Sequence, residues 1–150
     1  MIPGYQPGSA TATTPATPIE GYATSAQAPV ITASLGETDA THMFIHLSQP
    51  YAPEGKVSFL VSNDGTMTHE FVALSSRTPA SGFPIVSFEG EANRIDEAAK
   101  GVTNVGETGD MKVGSTTMLT LDLPAGHYAI VCNLPGHYAM GMHQDFWVAG

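Results

Sequence analysis

A short stretch near the C-terminus holds the only cysteine of the chain together with a histidine and two methionines: Cys132-Asn133-Leu134-Pro135-Gly136-His137-Tyr138-Ala139-Met140-Gly141-Met142. A soft thiolate, an imidazole and a weak thioether suit copper that cycles between Cu(II) and Cu(I), in a trigonal His₂Cys arrangement with a long axial Met. The spacing is Cys-x₄-His-x₄-Met. Taken singly, Cys and Met are common core fillers. Three copper-compatible donors closed by a Pro-Gly turn point to metal rather than to packing. Such a site needs a second histidine from elsewhere in the chain.

Local patterning shows how these donors can meet. Alternation in Tyr128-Ala129-Ile130-Val131-Cys132 puts Tyr128, Ile130 and Cys132 on one face, so the thiol ends a strand and points inward. Pro135 has a fixed φ and no N–H, and Gly136 can adopt conformations closed to other residues, so the pair can bring His137 back towards the sulfur. In the strand expected over 142–148, Met142 shares the buried face with Phe146 and Val148, opposite His143 and Asp145. Alternation therefore favours Met142 over Met140 as the axial donor.

Five further histidines compete for the remaining place. His42 and His46 alternate with Met43, Ile45 and Leu47 and so face solvent, His127 lies in a turn, and His143 points away from Met142. His69 differs: it follows the polar turn Asn63-Asp64-Gly65-Thr66-Met67-Thr68 and opens the apolar run Glu70-Phe71-Val72-Ala73-Leu74. A donor there would tie a second part of the fold to the cysteine loop.

The elements that must position these residues are short alternating segments separated by turn residues, which predicts an all-β sandwich. Over 56–63, Val57, Phe59 and Val61 share a face; over 115–123, Leu119, Leu121 and Leu123 do the same. One short helix is predicted over 93–100, with Gly101 as its stop, inside an otherwise irregular excursion spanning 79–110. Residues 1–29 are rich in Pro, Thr, Ala and Gly and hold too little apolar side chain to offset ordering entropy. They read as a disordered linker or stalk, and 30–150 as one copper-binding domain.

Composition sets bounds on the rest. The 150 residues include 14 acidic and 5 basic side chains for a net charge of -9, which leaves little to neutralise phosphates and argues against nucleic acid. That sign of charge suits a soluble protein that meets basic partners. A single cysteine excludes an internal disulfide, so the thiol is free or metal-bound. No apolar run approaches a membrane span, and the N-terminus lacks a secretory signal's basic and apolar regions. A membrane tether through the stalk would belong to the native precursor.

The segment from Val61-Ser62-Asn63-Asp64-Gly65 through His69-Glu70-Phe71-Val72, and that from Leu123-Pro124-Ala125-Gly126-His127-Tyr128 through Cys132 to Met142, resemble the cupredoxins, small blue-copper proteins. The loop is most similar to rusticyanin-like and sulfocyanin-like members. The resemblance implies a Greek-key β-sandwich with one type 1 copper near one end and His69, Cys132, His137 and Met142 as ligands. It also implies a one-electron carrier outside the cytoplasm, periplasmic or at the cell surface, exchanging electrons with redox proteins such as a cytochrome or a copper oxidase. Glu70 stands where many members have Asn or Ser. Its backbone N–H can still reach the thiolate, while its carboxylate would lower the reduction potential or alter its pH dependence.

Two other readings compete. A copper sequestration, resistance or delivery protein could use the same site with Met140, His143 and His127 as auxiliary donors. A fragment of a multicopper oxidase or copper nitrite reductase would need a histidine directly beside the cysteine, where this chain has Val131 and Asn133. The expectation is therefore a carrier and not an enzyme.

Overall fold

The computed structural model describes residues 28–88 and 91–150. The alternating segments form β1 (Val30–Asp39), β2 (His42–Leu47), β3 (Tyr51–Pro53), β4 (Gly55–Asn63), β5 (Val72–Ser75), β6 (Val86–Phe88), β7 (Glu91–Arg94), β8 (Thr103–Glu107), β9 (Thr116–Leu123), β10 (Gly126–Val131) and β11 (His143–Ala149). One sheet has the order β2-β1-β4-β9 and the other β3-β11-β10-β5-β8, while β6 and β7 pair separately. The chain changes sheet between β2 and β3, β3 and β4, β4 and β5, β8 and β9, and β9 and β10, which makes the expected Greek-key sandwich. The stalk predicted over 1–29 falls almost wholly outside the described residues. Among the described residues no helix is long and apolar enough to cross a membrane.

The inner faces follow the period-2 pattern. Ile31, Ala33 and Leu35 of β1 and Val57, Phe59 and Val61 of β4 are buried with Ala73, Ile130, Phe146 and Val148 of the opposite sheet and with Phe71, just before β5. Phe59 sits at the centre, its ring centroid 5.0 Å from that of Phe71 and 5.3 Å from that of Phe146. A second cluster covers the outer face of the second sheet, where Val72, Leu74, Ala129 and Val131 pack against Ala80, Phe83, Ile95 and Tyr138. Burial on both faces explains why β5 and β10 read as unbroken apolar runs.

Two expectations for the excursion are corrected. The segment 79–110 is more ordered than predicted: it contains the β6–β7 pair, and β8 extends the second sheet next to β5. No helix forms over 93–100; β7 ends at Arg94 and turns follow, and a 3₁₀ turn lies instead at Ala80–Gly82. The cause is tertiary. Asn93 adopts φ 63°, and its carbonyl accepts the Gly136 N–H at 2.9 Å. The Asn133 side chain accepts the Ile95 N–H at 2.9 Å and donates to the Ile95 carbonyl at 3.0 Å. The Asn93 and Ile95 carbonyls, which a helix would pair internally, are taken up by the cysteine loop, and Ile95 is buried in the second core. Local propensity gives way to these contacts.

Candidate metal centre

The far ends of the two sheets bring the predicted donors together. Cys132 follows directly on β10, on the inner face, and is fully buried. His69 lies between β4 and β5 in an antiparallel bridge with Met111, donating its N–H to the Met111 carbonyl at 3.3 Å and accepting the Met111 N–H at 2.8 Å. Asn63 holds this loop: its Nδ2 donates to the carbonyls of Met67 and Met111, each at 2.9 Å, and its Oδ1 accepts the Gly65 N–H at 3.0 Å. His137 rides on the Pro135-Gly136 turn, with Gly136 at φ 84° as its conformational freedom permits. His137 Nδ1 stands 3.1 Å from His69 Nδ1 and 3.4 Å from Cys132 Sγ.

Methionine 142 is fully buried in the same core cluster as Cys132, and its carbonyl accepts the Cys132 N–H at 3.2 Å. Met140 is 36% exposed on the rim. Gly141 lets the chain pass between them at φ 115°, and a Cβ there would lie 2.7 Å from the Met43 carbonyl oxygen. Gly141→Ala is therefore expected to cost about 1–3 kcal/mol in backbone strain and to displace Met142. Urea unfolding of the metal-free variant measures it; a cost below about 0.5 kcal/mol would show that the loop relaxes freely.

The other histidines lie apart from this cluster. His42 and His46 are exposed on the outer face of β2. His127 is not in a turn as predicted but within β10, paired with Trp147, its Nε2 2.7 Å from the Asp145 carboxylate. His143 opens β11 and its ring packs 5.1 Å from Tyr138 on the outer face. The structure thus does not bring His127 or His143 to the donor set; among the described residues the metal-competent group is His69, Cys132 and His137.

The electrostatics favour a cation at the point of convergence. Burial pushes the Cys132 thiol up to about 12, against the N–H groups of Leu134 and Glu70, so a thiolate here requires a positive charge beside it. The Glu70 N–H does reach Sγ, at 3.3 Å, as expected. Its carboxylate turns the other way and accepts the Asn133 N–H at 3.1 Å; burial first, then Glu97, Glu107 and Asp110, push it up to about 7. Burial lowers the His137 imidazole and so favours its neutral form, the one that binds metal.

Sequence reasoning missed Glu37, whose Oε2 lies 2.5 Å from His69 Nε2. Burial would raise its carboxyl, but hydrogen bonds from His69 and Thr66 outweigh this and hold it below the ordinary carboxylate range. The signal was present: Ile31, Ala33, Leu35 and Glu37 occupy successive inward positions, and an acid closing an apolar row needs a partner.

The donor set passes a test of fit. A first-row metal at about 2.0 Å from nitrogen and about 2.3 Å from sulfur sets neighbouring donors roughly 3.1–3.6 Å apart. The observed separations are 3.1 and 3.4 Å. Soft sulfur with two imidazoles selects copper over hard cations.

Comparison with solved structures agrees with this architecture. Auracyanin from Roseiflexus castenholzii superposes with a TM-score of 0.57 at 18% identity, over 84% of this chain and all (100%) of that one. Rusticyanin from Thiobacillus ferrooxidans gives 0.52 at 19%, over 81% and 79%. An azurin from Methylomonas sp. strain J gives 0.53 at 18%, over 83% and 100%. At these identities the likeness is one of fold. No curated protein matches the chain. The profile of the sulfocyanin (SoxE) domain, however, matches residues 19–150, nearly the whole sequence. The chain therefore belongs to the sulfocyanin domain family of blue-copper cupredoxins, which bind one type 1 copper.

Proposed function

We propose that the protein carries single electrons between redox partners, with His69, Cys132 and His137 holding the metal and Met142 as the axial donor. The observation supporting this most directly is the convergence of one thiol and two ring nitrogens, at 3.1 and 3.4 Å, at one end of the sandwich. Bound copper supplies the Cu(II)/Cu(I) couple. The chain positions the donors before metal arrives: the loop is closed by hydrogen bonds from the Met142 N–H to the His137 carbonyl and from the Met43 N–H to the Met140 carbonyl. Donors held this way move little between oxidation states.

His137 is the donor nearest solvent, half-buried where His69 and Cys132 are fully enclosed. Leu134, Pro135 and Met140 surround it as an apolar docking patch, making its ring the route for electron entry and exit. The partners fitting this patch are redox proteins such as a cytochrome or a copper oxidase, outside the cytoplasm. With Val131 and Asn133 flanking Cys132, no histidine beside the cysteine leads to further copper ions, which supports a carrier and not a catalyst.

Adding Cu(II) to the metal-free protein is expected to give an intense visible thiolate-to-copper band. A reduced cytochrome should bleach it rapidly, without metal passing to an apo-acceptor; transfer of the copper would favour a delivery role instead. His42→Ala and His46→Ala should leave the band unchanged, and loss of colour in either would overturn the choice of His69.

A further inference from the structure

Glu37 ends the inward row of β1, at the place where the strand's register with β2 shifts. Its side chain is 9% exposed and that of His69 is fully enclosed. One carboxylate oxygen faces His69 Nε2 at 2.5 Å; the other accepts the Thr66 N–H at 2.8 Å and the Thr66 hydroxyl at 2.9 Å. The approach depends on Gly65, because a Cβ at that position would fall on the Glu37 carboxylate. A carboxylate of β1 is thus built into the loop that carries His69.

An imidazole has two nitrogens, and the bond made by one decides what the other can do. A carboxylate is an acceptor only, so the nitrogen facing Glu37 carries the proton. That leaves Nδ1 of His69 with its lone pair directed at His137 Nδ1, 3.1 Å away, inside the donor cluster. We infer that Glu37 is a positioning residue of the metal centre: it fixes the tautomer and ring orientation of His69, and its negative charge biases the site towards Cu(II) over Cu(I). The second half rests on the copper reading proposed above; the first does not. Carboxylate–histidine–metal arrangements of this kind typically change metal affinity by 10- to 100-fold when broken. Glu70, which the sequence suggested for the role of tuning carboxylate, is turned towards Asn133.

Two measurements separate the halves. In the metal-free wild-type protein, long-range proton–nitrogen NMR correlations should show His69 with the proton on Nε2 and Nδ1 bare; the opposite tautomer overturns the proposal without any copper being involved. In the copper-loaded protein, Glu37→Gln keeps the size and an acceptor oxygen but removes the charge. Its Cu(II)-to-Cu(I) preference should fall about tenfold, read as a rise in reduction potential of about 59 mV for one electron. An unchanged or lower potential overturns the charge role. If the wild type forms no coloured copper complex, the copper reading fails, while the NMR result still decides whether Glu37 sets the His69 tautomer.

Discussion

Cys132→Ser is expected to leave a folded protein that forms no coloured copper complex. Serine has nearly the same size, and its hydroxyl can take up the Glu70 N–H that now points at Sγ from 3.3 Å. The stability cost should stay near the lower end of the roughly 1–3 kcal/mol that a changed buried polar group brings. The chemistry, by contrast, is lost: a hydroxyl is a hard donor that does not ionise here, and the charge-transfer band belongs to sulfur. Copper affinity should fall by more than about 100-fold, beyond the range seen when an outer partner is removed. Titration with Cu(II), followed by absorbance and by competition with a chelator, measures both. A retained intense band would mean that the metal sits elsewhere.

Phe59→Ala should be the most damaging single change to the fold, at about 3–5 kcal/mol by urea unfolding of the metal-free protein. The ring is fully buried between the sheets, touching Phe71 and Phe146. The cavity it leaves is walled by strands whose hydrogen-bonded registers prevent collapse. Phe71 lies two residues after His69, so what relaxation occurs reaches the donor cluster from below. A loss under about 1.5 kcal/mol would show that the core repacks more freely than its register suggests.

What could be read from the sequence follows from how local each signal is. Val57, Phe59 and Val61, or Leu121 and Leu123, announce their faces because a half-buried strand repeats every two residues, and the structure buries them as expected. The Cys132 loop is legible because its donors and its Pro-Gly turn are contiguous. The segment 93–100 misled because helix propensity is local, whereas the Asn133 amide that bonds both backbone groups of Ile95 lies 38 residues away. Glu37 was overlooked for a related reason. Its partner is 32 residues distant, and an acid near a strand end looks like surface until the neighbouring loop folds over it.

Tyr138, the residue after His137, gives the ligand loop a second anchor. Its hydroxyl accepts the Phe83 N–H at 3.0 Å and donates to the Ala80 carbonyl at 2.5 Å, with its ring in the outer core. The loop and the excursion are consequently one transplantable unit. Grafting residues 132–142 alone onto another sandwich would move the donors without the fastening that holds them. Loop exchange within this fold should succeed only when the segment around Ala80 and Phe83 travels with it.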